Sequence, residues 1–256
     1  MPVKPDPQQN HLLAALSPDV QGRLFPYLEL VKLPLRGIMY ESGRSMRHVY
    51  FPTDSIVSLQ YVMESGASTA ILVVGNEGLL GITLFLGGES TPSRSLVQSA
   101  GYAYRLPRPR VKAEFNRHGQ LLVLMLRYTQ ALITQVAQTA VCNRHHTIDQ
   151  QLCRWLLLSM DRLSHNHLTM TQEFIGHMLG VRREGVTQAA LKLQQLGVIS
   201  YSRGLIKVLD RPKLEALSCE CYDAVRKETE LLLNYMPQRQ VITNTDTIPT
   251  VTLRTP

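Results

Sequence analysis

"LTMTQEFIGHMLGVRREGVTQAALKLQQLGVISYSRGLIKVL", residues 168 to 209, reads as two short helices followed by a β-hairpin. Thr171 is a side chain that caps a helix N-terminus, and the helix it opens runs to Leu179, where Gly180 supplies the left-handed residue that ends it. A second helix follows over Arg182 to Leu196. Ile175, Leu179, Val181, Val186 and Ala189 fall where two helices joined by a tight turn bury apolar groups, and Gly176 is small where they approach most closely. That is the helix-turn-helix pattern. Two apolar runs around Ser202-Arg203-Gly204 then predict a hairpin wing.

The charge of this stretch points to a partner. From Leu168 to Arg211 there are six Lys or Arg (Arg182, Arg183, Lys192, Arg203, Lys207, Arg211) against three acids (Glu173, Glu184, Asp210). Most of the cations lie on the second helix and the wing, where a phosphate backbone would be met. Arg182, Arg183, Glu184, Thr187 and Gln188 share the N-terminal part of the second helix. Arginine bonds bidentately to guanine, glutamate accepts from cytosine N4, and glutamine pairs with adenine. The DNA-contacting set predicted from sequence is Thr171, Arg182, Arg183, Glu184, Thr187, Gln188, Lys192 and Arg203. A winged helix used only for protein contacts is the competing reading.

Working outward, 256 residues suffice for two modest cores and a connector. From Val31 to Leu106, short apolar runs broken by Gly, Pro and Ser predict an all-β sandwich or barrel. Residues 11 to 25 suggest a short helix before it. Val111 to Asn143 has only Gly119 to interrupt a helix, and Leu122, Met125, Thr129, Leu132, Val136 and Thr139 step by 3 and 4 as a coiled-coil seam does. The alternative is one core helix packed on the barrel. Thr147 to Leu163 is a further amphipathic helix. The expected domains are 1–110, a β-roll; 111–143, a dimerisation helix; 144–236, the winged helix-turn-helix; and 237–256, a flexible tail. The fold class is α+β.

No stretch approaches the roughly 18 apolar residues of a membrane span, so a cytoplasmic protein is expected. The net charge of +7 agrees with a nucleic-acid partner without requiring one. Four cysteines (Cys142, Cys153, Cys219, Cys221) make no disulfide framework and read as buried thiols. "CNRHH", holding Cys142, His145 and His146, offers soft ligands, yet a metal needs three or four convergent groups. In a continuous helix, Cys219 and Cys221 would diverge by about 200°. A redox role for that pair is the other reading. No metal, no cofactor and no catalytic residue is expected, because nucleophile motifs and nucleotide loops are missing.

A β-roll, a long helix and a C-terminal winged helix-turn-helix together resemble the cyclic-AMP receptor and fumarate-nitrate regulator (Crp/Fnr) family of bacterial transcription factors, over residues 11 to about 235. The most specific likeness is "IGHMLGVRREGVTQ", residues 175 to 188. The resemblance implies a homodimer on palindromic DNA, with Arg183 on guanine, Glu184 discriminating cytosine and Gln188 in a third reading position. RNA polymerase is the implied partner if the protein activates. It also implies that "LLGITLFLGGESTPSRSLVQSAG", residues 79 to 101, corresponds to a cyclic-nucleotide cassette, with Gly81, Ile82, Thr83, Arg94 and Ser95 as the effector set. Ile82 stands where that family's ribose-binding glutamate would be, and Leu96 replaces an alanine. A different small or anionic effector, or a roll that is only a scaffold with Arg94 paired to Glu77 or Glu89, are the alternatives. The iron-sulfur branch of the family has N-terminal cysteines, and the first 141 residues here have none.

Overall fold

β-branched and aromatic residues between turn-forming glycines build seven strands in the first 107 residues of the computed structural model, which describes residues 5–163 and 165–233. Two short helices, α1 (His11–Ala14) and α2 (Pro18–Leu24), precede them; Ser17 and Pro18 split what reads as one helix, with Pro18 in the first helical position. The strands are β1 (Glu29–Leu33), β2 (Ile38–Tyr40), β3 (His48–Pro52), β4 (Ile56–Val62), β5 (Ser68–Val74), β6 (Arg94–Ser99) and β7 (Gly101–Pro107). They form antiparallel sheets of order β1-β7-β3 and β2-β6-β4-β5. Val49, Phe51, Val57, Leu72, Val97 and Leu106 meet in the core between them.

The helical region differs from the expectation of one helix over 111–143. A first helix, α3 (Arg108–Phe115), ends in a turn where His118 has φ of 56°, and α4 (Gln120–His145) starts at Gly119. The long helix therefore begins at residue 120 and not at 111, because residues 116–119 leave helical geometry. Among the described residues no helix is long and apolar enough to cross a membrane.

The face of α4 left to solvent lies one residue on from the stripe read from the spacing. Leu121, Leu124, Met125, Tyr128, Ala131 and Gln135 are buried against the chain's own roll. Tyr128 donates to the Leu79 carbonyl at 3.0 Å and Gln135 Oε1 accepts from the Val73 N–H at 3.0 Å. Met125, assigned to the seam from its spacing, is thus a core residue, and Leu122, Thr129, Leu132, Val136 and Thr139 flank the contact half-buried. The outward stripe is Val123, Leu126, Gln130, Ile133, Ala137 and Ala140, one position on. Both stripes are mainly apolar, each with polar interruptions (Thr129 and Thr139 in one, Gln130 in the other), so periodicity could not rank them.

Beyond α4 come α5 (Ile148–Met160), β8 (His167–Thr169), α6 (Gln172–Leu179), α7 (Arg183–Gln195), β9 (Ile199–Ser202), β10 (Leu205–Val208), α8 (Arg211–Leu217) and α9 (Glu220–Leu233). A capping box at Thr147 and Gln150 starts α5, which is buried along almost its whole length. The strands form an antiparallel sheet of order β8-β10-β9, and α9 packs along α4. The flexible tail expected at 237–256 lies outside the described residues. Both halves share packing: Ile56, Ala70 and Val73 of the roll enter the core of α5, α6 and α7. An ion pair at 2.8 Å between Arg162 and Glu77, with side chains 6% and 14% exposed, ties the end of α5 to the loop after β5.

Candidate nucleic-acid interface

The helix-turn-helix follows from local chemistry at each joint. The Thr171 hydroxyl accepts from the Phe174 N–H at 3.2 Å, which caps α6. Gly180 has φ of 68° and ends it. A Cβ on Gly176 would stand 2.9 Å from the Val181 carbonyl, so the turn between the helices closes only over glycine. Val186, Ala189, Ala190 and Leu193 hold α7 by its buried face. Its other face is left to solvent.

On that face, Arg182, Arg183, Glu184 and Gln188 are exposed. Their side chains make no ion pair or hydrogen bond with other described residues, so all four keep their bonding capacity for an outside partner. The wing turns through Arg203 and Gly204, both with positive φ (49° and 80°), as a two-residue hairpin with a right-handed twist requires. Thr171, Arg183, Tyr201 and Arg203 line one groove of about 390 Å³ between α6, α7 and the wing. A groove with two arginines and a hydroxyl at its rim suits a phosphate backbone.

Two members of the sequence-derived set are placed otherwise. Lys192 pairs with Asp149 of α5 at 2.5 Å, and this partner raises its pKa. Thr187 is half-buried and its hydroxyl lies 2.7 Å from Gln172 Oε1 and 3.0 Å from the Arg183 carbonyl. Thr187 holds α7 against α6. Sequence spacing could not separate these two from the free residues, because all lie within reach of the exposed face; Lys192 stays exposed at 63% in its surface ion pair, and only Thr187 is turned toward α6.

The five effector residues do not converge. Gly81 opens a single helical turn at Ile82–Leu84, and a Cβ there would lie 3.2 Å from both the Tyr40 hydroxyl and Val49 Cγ1, so side chains already fill the concave side of the turn. Ile82 packs on the roll core and the Thr83 hydroxyl faces Met46 Sδ at 3.7 Å. Ser95 is buried at the register position opposite Leu59, inside the roll. Arg94, its neighbour in an alternating strand, points the other way. Its carboxylate partner is Glu41 at 3.0 Å; Glu77 pairs with Arg162 and Glu89 with Arg108 instead. Arg94 lines a cavity of about 370 Å³ with Arg36 and Gln60 of the roll and Glu173, Phe174 and His177 of α6. Gln60 donates to Met178 Sδ at 3.4 Å across the same contact.

A separate cluster joins the far end of α4 to the start of α9. Cys142, His146, Cys219 and Cys221 bring their ligand-type atoms within 4.8 Å of one another. Cys219 lies before the first turn of α9 and is not helical, so the 200° divergence expected for a helical pair does not apply. The hydrogen bond from Cys142 holds the Cys219 thiol down, to about 5. Burial pushes the Cys221 thiol up to about 11.

Comparison with known proteins agrees with this architecture. Residues 150–217 match the Crp-like helix-turn-helix domain. Comparison with curated protein sequences gives no match. Among solved structures, the chain is similar to a protein described as a transcriptional regulator of the Crp/Fnr family from Eubacterium rectale, at 15% identity and a TM-score of 0.63, over 80% of this chain and 96% of that one. FixK2 from Bradyrhizobium japonicum matches at 15% identity and a TM-score of 0.62, over 75% and 98%. The c-di-GMP-responsive regulator CLP from Xanthomonas campestris matches at 12% identity and a TM-score of 0.60, over 76% and 100%. The match over residues 150–217 agrees with the helix-turn-helix read from the sequence. The chain thus carries a Crp-like helix-turn-helix domain at residues 150–217, on the α+β fold of the Crp/Fnr transcription regulators.

Proposed function

We propose that this protein is a homodimeric, sequence-specific transcription regulator that reads a palindromic operator with α7. The observation that carries the reading is the set Arg182, Arg183, Glu184 and Gln188, exposed and without partners among the described residues on a helix whose other face is fully packed. In this reading Arg183 takes a guanine, Glu184 and Gln188 read neighbouring bases, and Arg203 with the Thr171 hydroxyl meets phosphates. Lys192 and Thr187 support α7 from behind.

The dimer forms along the outward stripe of α4. A parallel pair of α4 helices would set two copies of α7 in successive major grooves, about 34 Å apart. Regulation runs through the contact between the roll and α6: an effector that binds one placement of the helix-turn-helix better shifts its population. The cavity shared by Arg94 and α6 supports this location, whereas Tyr40 against Gly81 speaks against a cyclic nucleotide in the turn. Where the outcome is activation, RNA polymerase is the further partner.

The test is a footprint on genomic fragments selected by the native protein, repeated with Arg183→Ala. The variant should lose about 1–3 kcal/mol of operator affinity, roughly 10-fold to 100-fold, and keep its salt-sensitive binding to random DNA. An unchanged footprint would remove α7 from the reading role.

A further inference from the structure

We infer that Cys142, His146, Cys219 and Cys221 form a closed Cys3His site for a divalent zinc-class cation, which clamps the start of α9 to the end of α4. Cys142 lies in the last turn of α4, and His146 is the extended residue that caps it, its N–H bonding to the Cys142 carbonyl. Cys219 and Cys221 flank Glu220, the first residue of α9. Cys142 Sγ lies 3.6 Å from Cys219 Sγ, and Cys221 Sγ lies 3.5 Å from His146 Nδ1. Zinc–sulfur bonds of about 2.3 Å and zinc–nitrogen bonds of about 2.0–2.1 Å in a tetrahedron give edges of roughly 3.8 Å between sulfurs and 3.6 Å between sulfur and nitrogen. These two separations match the edges, and the remaining ones, all within 4.8 Å, close to a tetrahedron when the side chains draw in by up to about 1 Å.

The surroundings agree in three respects. All three sulfurs are buried, so the ligand set is enclosed by protein. With Nδ1 facing the cluster, His146 Nε2 lies 3.3 Å from Glu220 Oε1, the carboxylate–histidine arrangement that fixes a ligating imidazole. Arg154 is 6% exposed, donates to Thr139 Oγ1 at 2.8 Å and has no carboxylate partner among the described residues. Its Nε is buried without a partner. Three thiolates around a divalent cation leave one negative charge, and Arg154 supplies the compensating positive one beside them.

Four protein ligands leave no open position, so the site is structural rather than catalytic. What it fixes is the placement of the helices that follow the wing relative to the helix that carries the dimer stripe. Binding gathers three thiolates and a neutral imidazole into [M(Cys–S)3His]⁻ and releases whatever protons the three sulfurs still hold, with no change of oxidation state.

The full-length protein, purified under reducing conditions, should retain one zinc per chain. After removal of zinc, Co²⁺ should restore the site with an intense visible absorption and a thiolate-to-cobalt charge-transfer band, and zinc should protect three thiols from alkylation. Cys142→Ser and His146→Ala should abolish the band, Cys153→Ser should leave it unchanged, and Glu220→Gln should weaken the metal by about 10-fold to 100-fold. Three results would each overturn the assignment: reduced native protein that takes up no Co²⁺ with thiolate bands, equal loss on Cys153→Ser, or a native Cys142–Cys219 disulfide whose reduction gives no metal-binding protein. The measurements on the unmutated chain decide the matter even if a variant fails to fold.

Discussion

Replacing Leu126 and Ile133 together by alanine should separate the protomers while leaving each one folded. The two side chains are 55% and 57% exposed on the outward face of α4, with Val123 and Val141 on the same face at 41% and 48%. Full burial of a Leu or Ile side chain stabilises by about 1.5–3 kcal/mol, so the exposed half of each contributes ~0.8–1.5 kcal/mol when a partner covers it. Two-fold symmetry repeats both contacts, which brings the loss to about 3–6 kcal/mol, most of which alanine forfeits. At 1.4 kcal/mol per decade the dimer should weaken by roughly 10²-fold to 10⁴-fold. Analytical ultracentrifugation over a concentration series reads this directly, with the thermal midpoint of the isolated chain as a check on folding. Met125→Ala is the opposite control. Met125 is 1% exposed within its own chain, so its loss should cost about 2–5 kcal/mol of folding stability and leave the dimer constant within a few-fold. Should Met125→Ala split the dimer while the double variant does not, the outward stripe is not the interface and the neighbouring register is restored.

Two further expectations rest on charges. Arg203→Ala should weaken binding to operator and random DNA alike and lower the slope of log affinity against log salt by about one for each wing, as loss of a phosphate contact does; an unaltered slope would take the wing off the backbone. Glu77→Ala should destabilise the fold by about 3–5 kcal/mol in denaturant melts, because Arg162 would keep a buried, unpaired charge. Changing Arg162 to Met and Glu77 to Leu together should recover much of that loss, and a double variant as unstable as the sum of the singles would show that the pair is not coupled.

How far the fold was legible depended on whether local signals agreed. In the helix-turn-helix, the Thr171 cap, the left-handed Gly180, the crowding at Gly176 and the spacing of Val186 and Ala189 all favour one arrangement, and the helix bounds fell within a residue. In α4 two apolar stripes run one residue apart. Sequence period establishes that both exist, but only the roll, through Leu79 and Val73, decides which one turns inward. The Arg94-Ser95 pair shows a simpler point: neighbours in a strand point their side chains to opposite sides, so here the Ser95 side chain enters the roll while Arg94 lines the cavity against α6. That parity was readable from the strand pattern alone, and the family likeness obscured it.

The cysteine cluster was illegible for a different reason, and that reason bears on what it does. Its two halves are 77 residues apart in sequence, between Cys142 and Cys219, and neither half alone supplies enough ligands for a metal. Only the packing of α9 along α4 makes four ligands from two pairs. A site divided in this way cannot form before the helices dock, so its binding energy acts on their docking and not on either helix by itself. In the proposed dimer, where α4 carries the interface and α9 closes the domain that carries α7, a cation at this junction would set how rigidly operator reading is geared to the dimer axis.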